Sequence, residues 1–126
     1  MPAPSVVGMR LLHTSDWHLG RSLHRADLAP AQAAFLDHLV ETVRAERVDA
    51  VLVSGDVYDR ALPPLEAVDL LNDALFRLRE AGARVVVTSG NHDSAKRLGV
   101  HDRLVDAAGV HLRTRVSDVG TPVVLE

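Results

Sequence analysis

Apolar positions along this chain follow two alternating rhythms: short continuous runs, and longer stretches in which they recur every three or four residues. Residues 10–13 predict a brief strand leading into Thr14-Ser15-Asp16, and the polar stretch from Gly20 to Leu28 predicts a loop. Pro30 suits a first helical turn, and Ala34, Phe35, Leu36, Leu39, Val40 and Val43 recur at helical spacing. Residues 30–46 are therefore expected to form a helix with one apolar side. Residues 48–53 predict a buried strand. A second helix is expected to start at Pro63-Pro64, to bury Leu65, Val68, Leu71, Leu75 and Leu78, and to run to Ala81 with Gly82 as its stop. Val85, Val86 and Val87 predict a third strand. Residues 94–108 follow as one helix or two short ones interrupted around Gly99, and residues 110–112 and 123–125 as later strands.

The order strand, helix, strand, helix, strand, helix, strand is that of an α/β domain, and continuous apolar strands predict a parallel sheet covered on both faces. Three polar blocks interrupt the pattern: Asp16-Trp17-His18, Gly55-Asp56 and Gly90-Asn91-His92-Asp93, each directly after a predicted strand. A strand, its crossover helix and the next parallel strand need about 30 residues or more, and the blocks are spaced accordingly. All three should then land on the carboxyl-end edge of one sheet, where residues far apart in sequence converge. Such an edge reads as a binuclear metal site for phosphoester chemistry.

Composition narrows the chemistry. With 126 residues and 47% hydrophobic content, the chain is expected to fold as one compact unit. Without cysteine it has no disulfide or thiolate metal site. A metal would be held by carboxylate, imidazole or amide oxygen, and a reducing cytoplasm is the expected home. No apolar run reaches the length of about 18 residues that marks a membrane span. Residues 1–8 lack the features of a signal peptide and are expected to be a disordered leader to a domain at 9–126. A net charge of −3 speaks against a broad basic face for nucleic acid. Phosphate affinity must be local, and the candidates for it are Arg21 and Arg25 after the first block, Arg60 after the second, and Lys96 and Arg97 after the third.

Within the blocks, Asp16 and His18 are two residues apart and in extended backbone would point to the same side, toward one ion. A carboxylate with an imidazole suits Mn²⁺, Fe²⁺ or Zn²⁺ better than Ca²⁺. Asp56, after Gly55, is positioned to bridge two ions, and Asn91 offers a neutral oxygen that limits the negative charge of the site. His92 fits a hydrogen bond to phosphate or proton donation to the leaving oxygen, or else a further metal ligand. Asp93 could hold the imidazole of His92, as carboxylates behind metal sites do, or cap a helix beginning at Ser94. Each block alone has an ordinary turn or capping explanation; their joint order does not. His13, His24, His38, His101 and His111 lack a paired ligand and are assigned structural or surface roles.

Thr14-Ser15-Asp16-Trp17-His18-Leu19-Gly20, Ser54-Gly55-Asp56-Val57-Tyr58-Asp59 and Ser89-Gly90-Asn91-His92-Asp93-Ser94 together resemble the SbcD nuclease subunits, a bacterial branch of the calcineurin-like metallophosphoesterases. The resemblance covers about residues 9 to 112. It implies an α/β sandwich of two sheets and two divalent ions, most commonly Mn²⁺. Asp16, His18 and Asp56 would hold the first ion, Asp56 and Asn91 the second, and His92 would be the catalytic histidine. It also implies 3′ to 5′ degradation of double-stranded DNA ends, endonuclease cleavage of single strands and hairpins, homodimers formed through helices near the site, and an SbcC-like ATPase partner. Where other branches often carry a histidine, this chain has Asp59. The family completes its metal shells with a Gly-His and a Gly-His-x-His block, which His101 and His111, each after valine, do not match. The chain is thus expected to carry the N-terminal half of the phosphoesterase core without a DNA-capping domain. Two other readings remain open here: another phosphoesterase acting on cyclic nucleotides or phosphoproteins, and a non-catalytic piece retaining interaction surfaces only. Trp17 and the basic loops favour the nuclease.

Overall fold

The computed structural model describes residues 8–23 and 26–125. Arg25, His24 and most of the expected leader lie outside the described residues. Four strands form one parallel sheet: β1 (Leu11–Thr14), β4 (Ala50–Ser54), β5 (Arg84–Thr88) and β6 (Val110–Arg113), adjacent in that order. Between β1 and β4 lie a two-residue hairpin, β2 (Ser22–Leu23) and β3 (Ala26–Asp27), where a plain loop was expected, and then α1 (Ala29–Glu46). Helix α2 (Leu65–Glu80) connects β4 to β5, and α3 (Ala95–Leu98) and α4 (Asp102–Ala107) connect β5 to β6. The break between the two short helices falls at Gly99, as the sequence suggests.

Register carries the functional consequence. Thr14 pairs with Val53, Ser54 with Thr88, and Thr88 with Arg113, so all four strands end level on one edge. The three polar blocks leave from that edge. No helix among the described residues is long and apolar enough to cross a membrane.

Among the described residues only one face of the sheet is closely covered, where both were expected to be. Val51, Val53, Val85, Val87 and Leu112 are buried in one cluster with Leu36, Leu39, Val40 and Val43 of α1 and Ala67, Leu71, Ala74 and Leu78 of α2. The alternating residues Leu52 and Val86 are only half-buried, and Leu11 is exposed. An all-valine strand reads alike whether one face is covered or two. Residues 123–125 form no strand among the described residues; Val123 and Leu125 line a cavity of about 380 Å³ over this second face, together with Leu52 and Val86.

Helix α2 also rotates relative to expectation. Its stripe toward the sheet is Ala67, Leu71, Ala74 and Leu78, while Leu65 is 82% exposed. Val68 and Leu75 instead face a groove shared with Val105 of α4. Small alanines let the helix sit close to the sheet and turn its larger leucines sideways. The helix ends as read, with Gly82 in a left-handed conformation.

Candidate metal centre

Two loops run side by side from the ends of β1 and β4 and continue their parallel pairing past the sheet. Asp16 N donates to the Gly55 carbonyl (3.1 Å), His18 N to Asp56 (2.9 Å), Leu19 N to Val57 (2.9 Å), and Asp59 N back to Leu19 (3.1 Å). Within this ladder Asp16, His18 and Asp56 have φ of 59°, 45° and 49°. The backbone at the first block is therefore left-handed rather than extended. Such a conformation costs a non-glycine residue about 1–2 kcal/mol, and the hydrogen-bonded ladder holds it. Strain of this kind concentrates at functional sites.

The third loop is locked against the second. Gly90 lies so close to Asp56 that a β-carbon there would run into the Asp56 carboxylate and amide nitrogen. Asp56 Oδ1 accepts from His92 N at 2.9 Å. The Asn91 amide lies 3.1 and 3.2 Å from the two Asp56 oxygens and, with its nitrogen turned toward them, donates to both. Asp93 does not hold the His92 ring, nor does it cap α3, whose cap is Ser94. Its carboxylate accepts from the backbone nitrogens of Val57 (3.1 Å), Tyr58 (2.8 Å) and Gly90 (2.9 Å), tying the second and third loops together. A carboxylate ringed by amide donors is the more stable arrangement, since charged hydrogen bonds are the stronger ones.

Ligand atoms of Asp16, His18 and Asp56 lie within 4.8 Å of one another, and so do those of His18, Asp59 and His92. His18 Nε2 faces Asp16 Oδ1 at 3.7 Å. Its Nδ1 meets Asp59 Oδ1 at 3.2 Å. The His18 and His92 rings stand edge to face with centroids 5.1 Å apart. His92 Nδ1 reaches the Asp59 main-chain carbonyl at 3.0 Å. Two carboxylates and an imidazole converging on one edge, with the Asn91 amide against Asp56, form a donor set suited to Mn²⁺-like divalent cations. Asp59 is the site residue that sequence reasoning left without a role; a carboxylate three positions after Asp56 was the available signal.

Other residues hold the loops. Gln32 of α1 donates to the His18 carbonyl (2.8 Å) and accepts from Gly20 N (3.2 Å). Trp17 is 6% exposed, donates to Thr14 Oγ1 at 3.0 Å and packs edge-on against Phe35. It is a core anchor and presents no surface for a DNA base. Tyr58 is also buried, and burial with the nearby Asp93 carboxylate pushes its phenol up to about 12, so it stays neutral. Of the basic candidates, Arg21 is engaged by Asp59 Oδ1 (Nε at 3.3 Å) and Arg97 by the Ala61 carbonyl (3.4 Å). Arg60 and Lys96 are exposed, with no side-chain partner among the described residues. His111 is a buried structural residue whose Nδ1 meets Asp106 at 2.6 Å.

Residues 9–119 match the calcineurin-like phosphoesterase family. Over 118 residues, 93% of its length, the chain is 34% identical to the SbcD component of nuclease SbcCD from Staphylococcus saprophyticus, of which it covers 31%. It is 46% identical over 90 residues to the same component from Escherichia coli K12, covering 71% of this chain and 22% of that protein. With the Bacillus subtilis protein it shares 41% identity over 105 residues, covering 82% and 27%. The chain spans less than a third of the length of these curated relatives.

Proposed function

This chain belongs to the calcineurin-like phosphoesterase family, and on that premise we propose that residues 9–126 are part of the catalytic domain of an SbcD-type DNA nuclease. The observation that carries this reading is the convergence of Asp16, His18 and Asp56 from two strand ends, with Asn91 against Asp56 and His92 beside His18 from a third. Asp16, His18 and Asp56 would hold one divalent cation, and Asp56 with Asn91, its amide oxygen turned inward, a second; the donors suit Mn²⁺, Fe²⁺ or Zn²⁺, and the resemblance to SbcD-type nucleases implies Mn²⁺. Bound cations would supply Lewis acidity toward a phosphodiester and activate water at neutral pH. His92 keeps its Nδ1 on the Asp59 carbonyl, which leaves Nε2 to hydrogen-bond a phosphate oxygen or protonate the departing sugar oxygen. Exposed Arg60 and Lys96 are well suited to meet flanking phosphates; Arg21 and Arg97, already engaged by Asp59 and the Ala61 carbonyl, are weaker candidates, and Arg25, outside the described residues, stays a candidate.

The whole protein is read as a cytoplasmic, nucleoid-associated 3′ to 5′ exonuclease on double-stranded ends, with endonuclease action on single strands and hairpins, and as the partner of an SbcC-like ATPase in DNA repair and recombination. The similarity to the SbcD components of SbcCD nucleases supports the nuclease and the partner. A homodimer is supported by exposed Leu62 and Val100 at the groove between α2 and the α3–α4 pair, where a cavity of about 410 Å³ is lined by Leu71, Leu75 and Val105, and by exposed Leu65 and Phe76 on α2 and Leu104 on α4.

In a protein carrying the complete catalytic domain, Mn²⁺-dependent degradation of linear duplex DNA is expected, with no turnover of cyclic mononucleotides. The reverse preference would make this a different phosphoesterase. His92→Ala should lower turnover by about 10²–10⁴-fold while metal stoichiometry and DNA affinity stay unchanged. A parallel loss of metal would recast His92 as a ligand.

A further inference from the structure

We infer that Asp59 is a positioning residue that sets the tautomers of two site imidazoles at once, through its carboxylate on His18 and its main-chain carbonyl on His92. The inference rests on the reading of His18 as a metal donor. It starts from a buried atom: His18 Nδ1 is shielded from solvent and makes no well-directed hydrogen bond. Its nearby oxygen is Asp59 Oδ1 at 3.2 Å. A buried ring N–H with no acceptor is costly, so a proton on Nδ1 is stabilised there only by the Asp59 charge. Conversely, an unprotonated Nδ1 would set a lone pair against a carboxylate. Asp16 faces Nε2 in the same way but from 3.7 Å, so the nearer Asp59 at 3.2 Å favours the Nδ1–H form and leaves the Nε2 lone pair toward Asp16. An imidazole ligates through its unprotonated nitrogen, and the group on its other nitrogen fixes which one that is.

His92 is set the same way by a different part of the same residue. Its Nδ1 lies 3.0 Å from the Asp59 carbonyl, which can only accept, so this nitrogen carries the proton and Nε2 is left open. Asp59 is itself well anchored. Its N–H donates to the Leu19 carbonyl at 3.1 Å, and Arg21 Nε holds the same Oδ1 at 3.3 Å. Arg21 thus contributes by aiming the carboxylate rather than by contacting substrate.

The split between side chain and main chain makes the inference testable. Site-resolved nitrogen-15 NMR on the metal-free protein at about pH 8, where free histidine is neutral, should find His18 and His92 both protonated on Nδ1. In Asp59→Ala, His18 should shift toward the Nε2–H form while His92 stays unchanged, because its partner is backbone. Asp59→Asn keeps an oxygen acceptor and should restore the His18 pattern. Calorimetric titration with Mn²⁺ should show affinity falling about 10–100-fold in Asp59→Ala, the usual loss for a partner behind a ligand, and less in Asp59→Asn. A His18 protonated on Nε2 in the unsubstituted protein would overturn the inference without requiring any variant to fold, and so would a pattern indifferent to Asp59→Ala in the folded variant. Equal loss of Mn²⁺ affinity in both variants with unmoved tautomers would also overturn it, making Asp59 a ligand. Absence of Mn²⁺ binding with the tautomer response intact would instead sink the metal reading and leave the positioning role standing.

Discussion

At the scale of the residue, Asp56 carries more of the site than any neighbour. Its carboxylate receives the His92 backbone nitrogen, faces the Asn91 amide and lies within reach of Asp16 and His18. Asp56→Asn preserves the shape and removes the charge. Mn²⁺ affinity is expected to fall by more than about a hundredfold, beyond the loss typical of a residue behind the ligands, with the circular dichroism spectrum unchanged. Calorimetry decides this directly, and affinity retained within tenfold would remove Asp56 from the bridging position. Asp16, His18, Asp56 and Asn91 supply few donors per ion, so binding by this chain alone is expected to be weak.

Among the elements, the loops and the sheet beneath them fail in different ways. Gly90→Ala forces a β-carbon against the backbone and carboxylate of Asp56. Overpacking of this kind costs about 1–3 kcal/mol, and here the strain falls on the site. Thermal melting should drop modestly while metal affinity drops sharply. Leu78 of α2 is fully buried against the sheet, so Leu78→Ala should cost about 2–5 kcal/mol in urea denaturation. Residual metal affinity measured under native conditions should be little changed, because the helix supports the sheet rather than the donors.

For the whole molecule, the charged cluster around His111 on the edge strand β6 sets a pH dependence of stability. Asp106 is held below the usual carboxylate range, first by its hydrogen bond from His111 and then by Arg113 at 3.1 Å. Arg84 donates to the other ring nitrogen of His111 at 2.9 Å, so the Asp106 contact carries the imidazole proton. A carboxyl group whose folded pKa is depressed contributes stability above its unfolded value of about 3.9. That contribution is lost as pH falls through the lower folded value. Asp106→Asn should therefore destabilise the protein at neutral pH and flatten the acid limb below about pH 4 in a pH series of thermal melts. Asp106 is partly exposed, so added salt should shrink the difference. The proposed self-association is tested on α2: Phe76→Glu at an exposed position should shift sedimentation toward monomer at fixed concentration, whereas a surface unrelated to self-association would leave it unchanged.

The order of the four sheet strands and their connecting helices, the stop at Gly82, the break at Gly99 and the convergence of three polar blocks on one edge were legible in the sequence, whereas the hairpin in residues 20–28 and the lack of a strand at 123–125 among the described residues were not. Periodicity, turn residues and the length of a crossover are local properties, and parallel strands connected by helices leave little freedom in where their ends emerge. What surrounds each block was not legible, because it depends on which loops lie side by side. The pairing of Leu19 with Tyr58 extends the sheet beyond its strands. That contact bends Asp16 and His18 into left-handed backbone and brings Asp59 under two imidazoles. Equally long-range are the placement of the Asp93 carboxylate on the backbone amides of Val57 and Tyr58 and the burial of Trp17 in the core. Helix faces follow the same rule: both stripes of α2 are apolar, and only close packing through Ala67 and Ala74 decided which one meets the sheet. Long-range register of this kind is set by contacts between residues far apart in the chain, and no local pattern of residues encodes it.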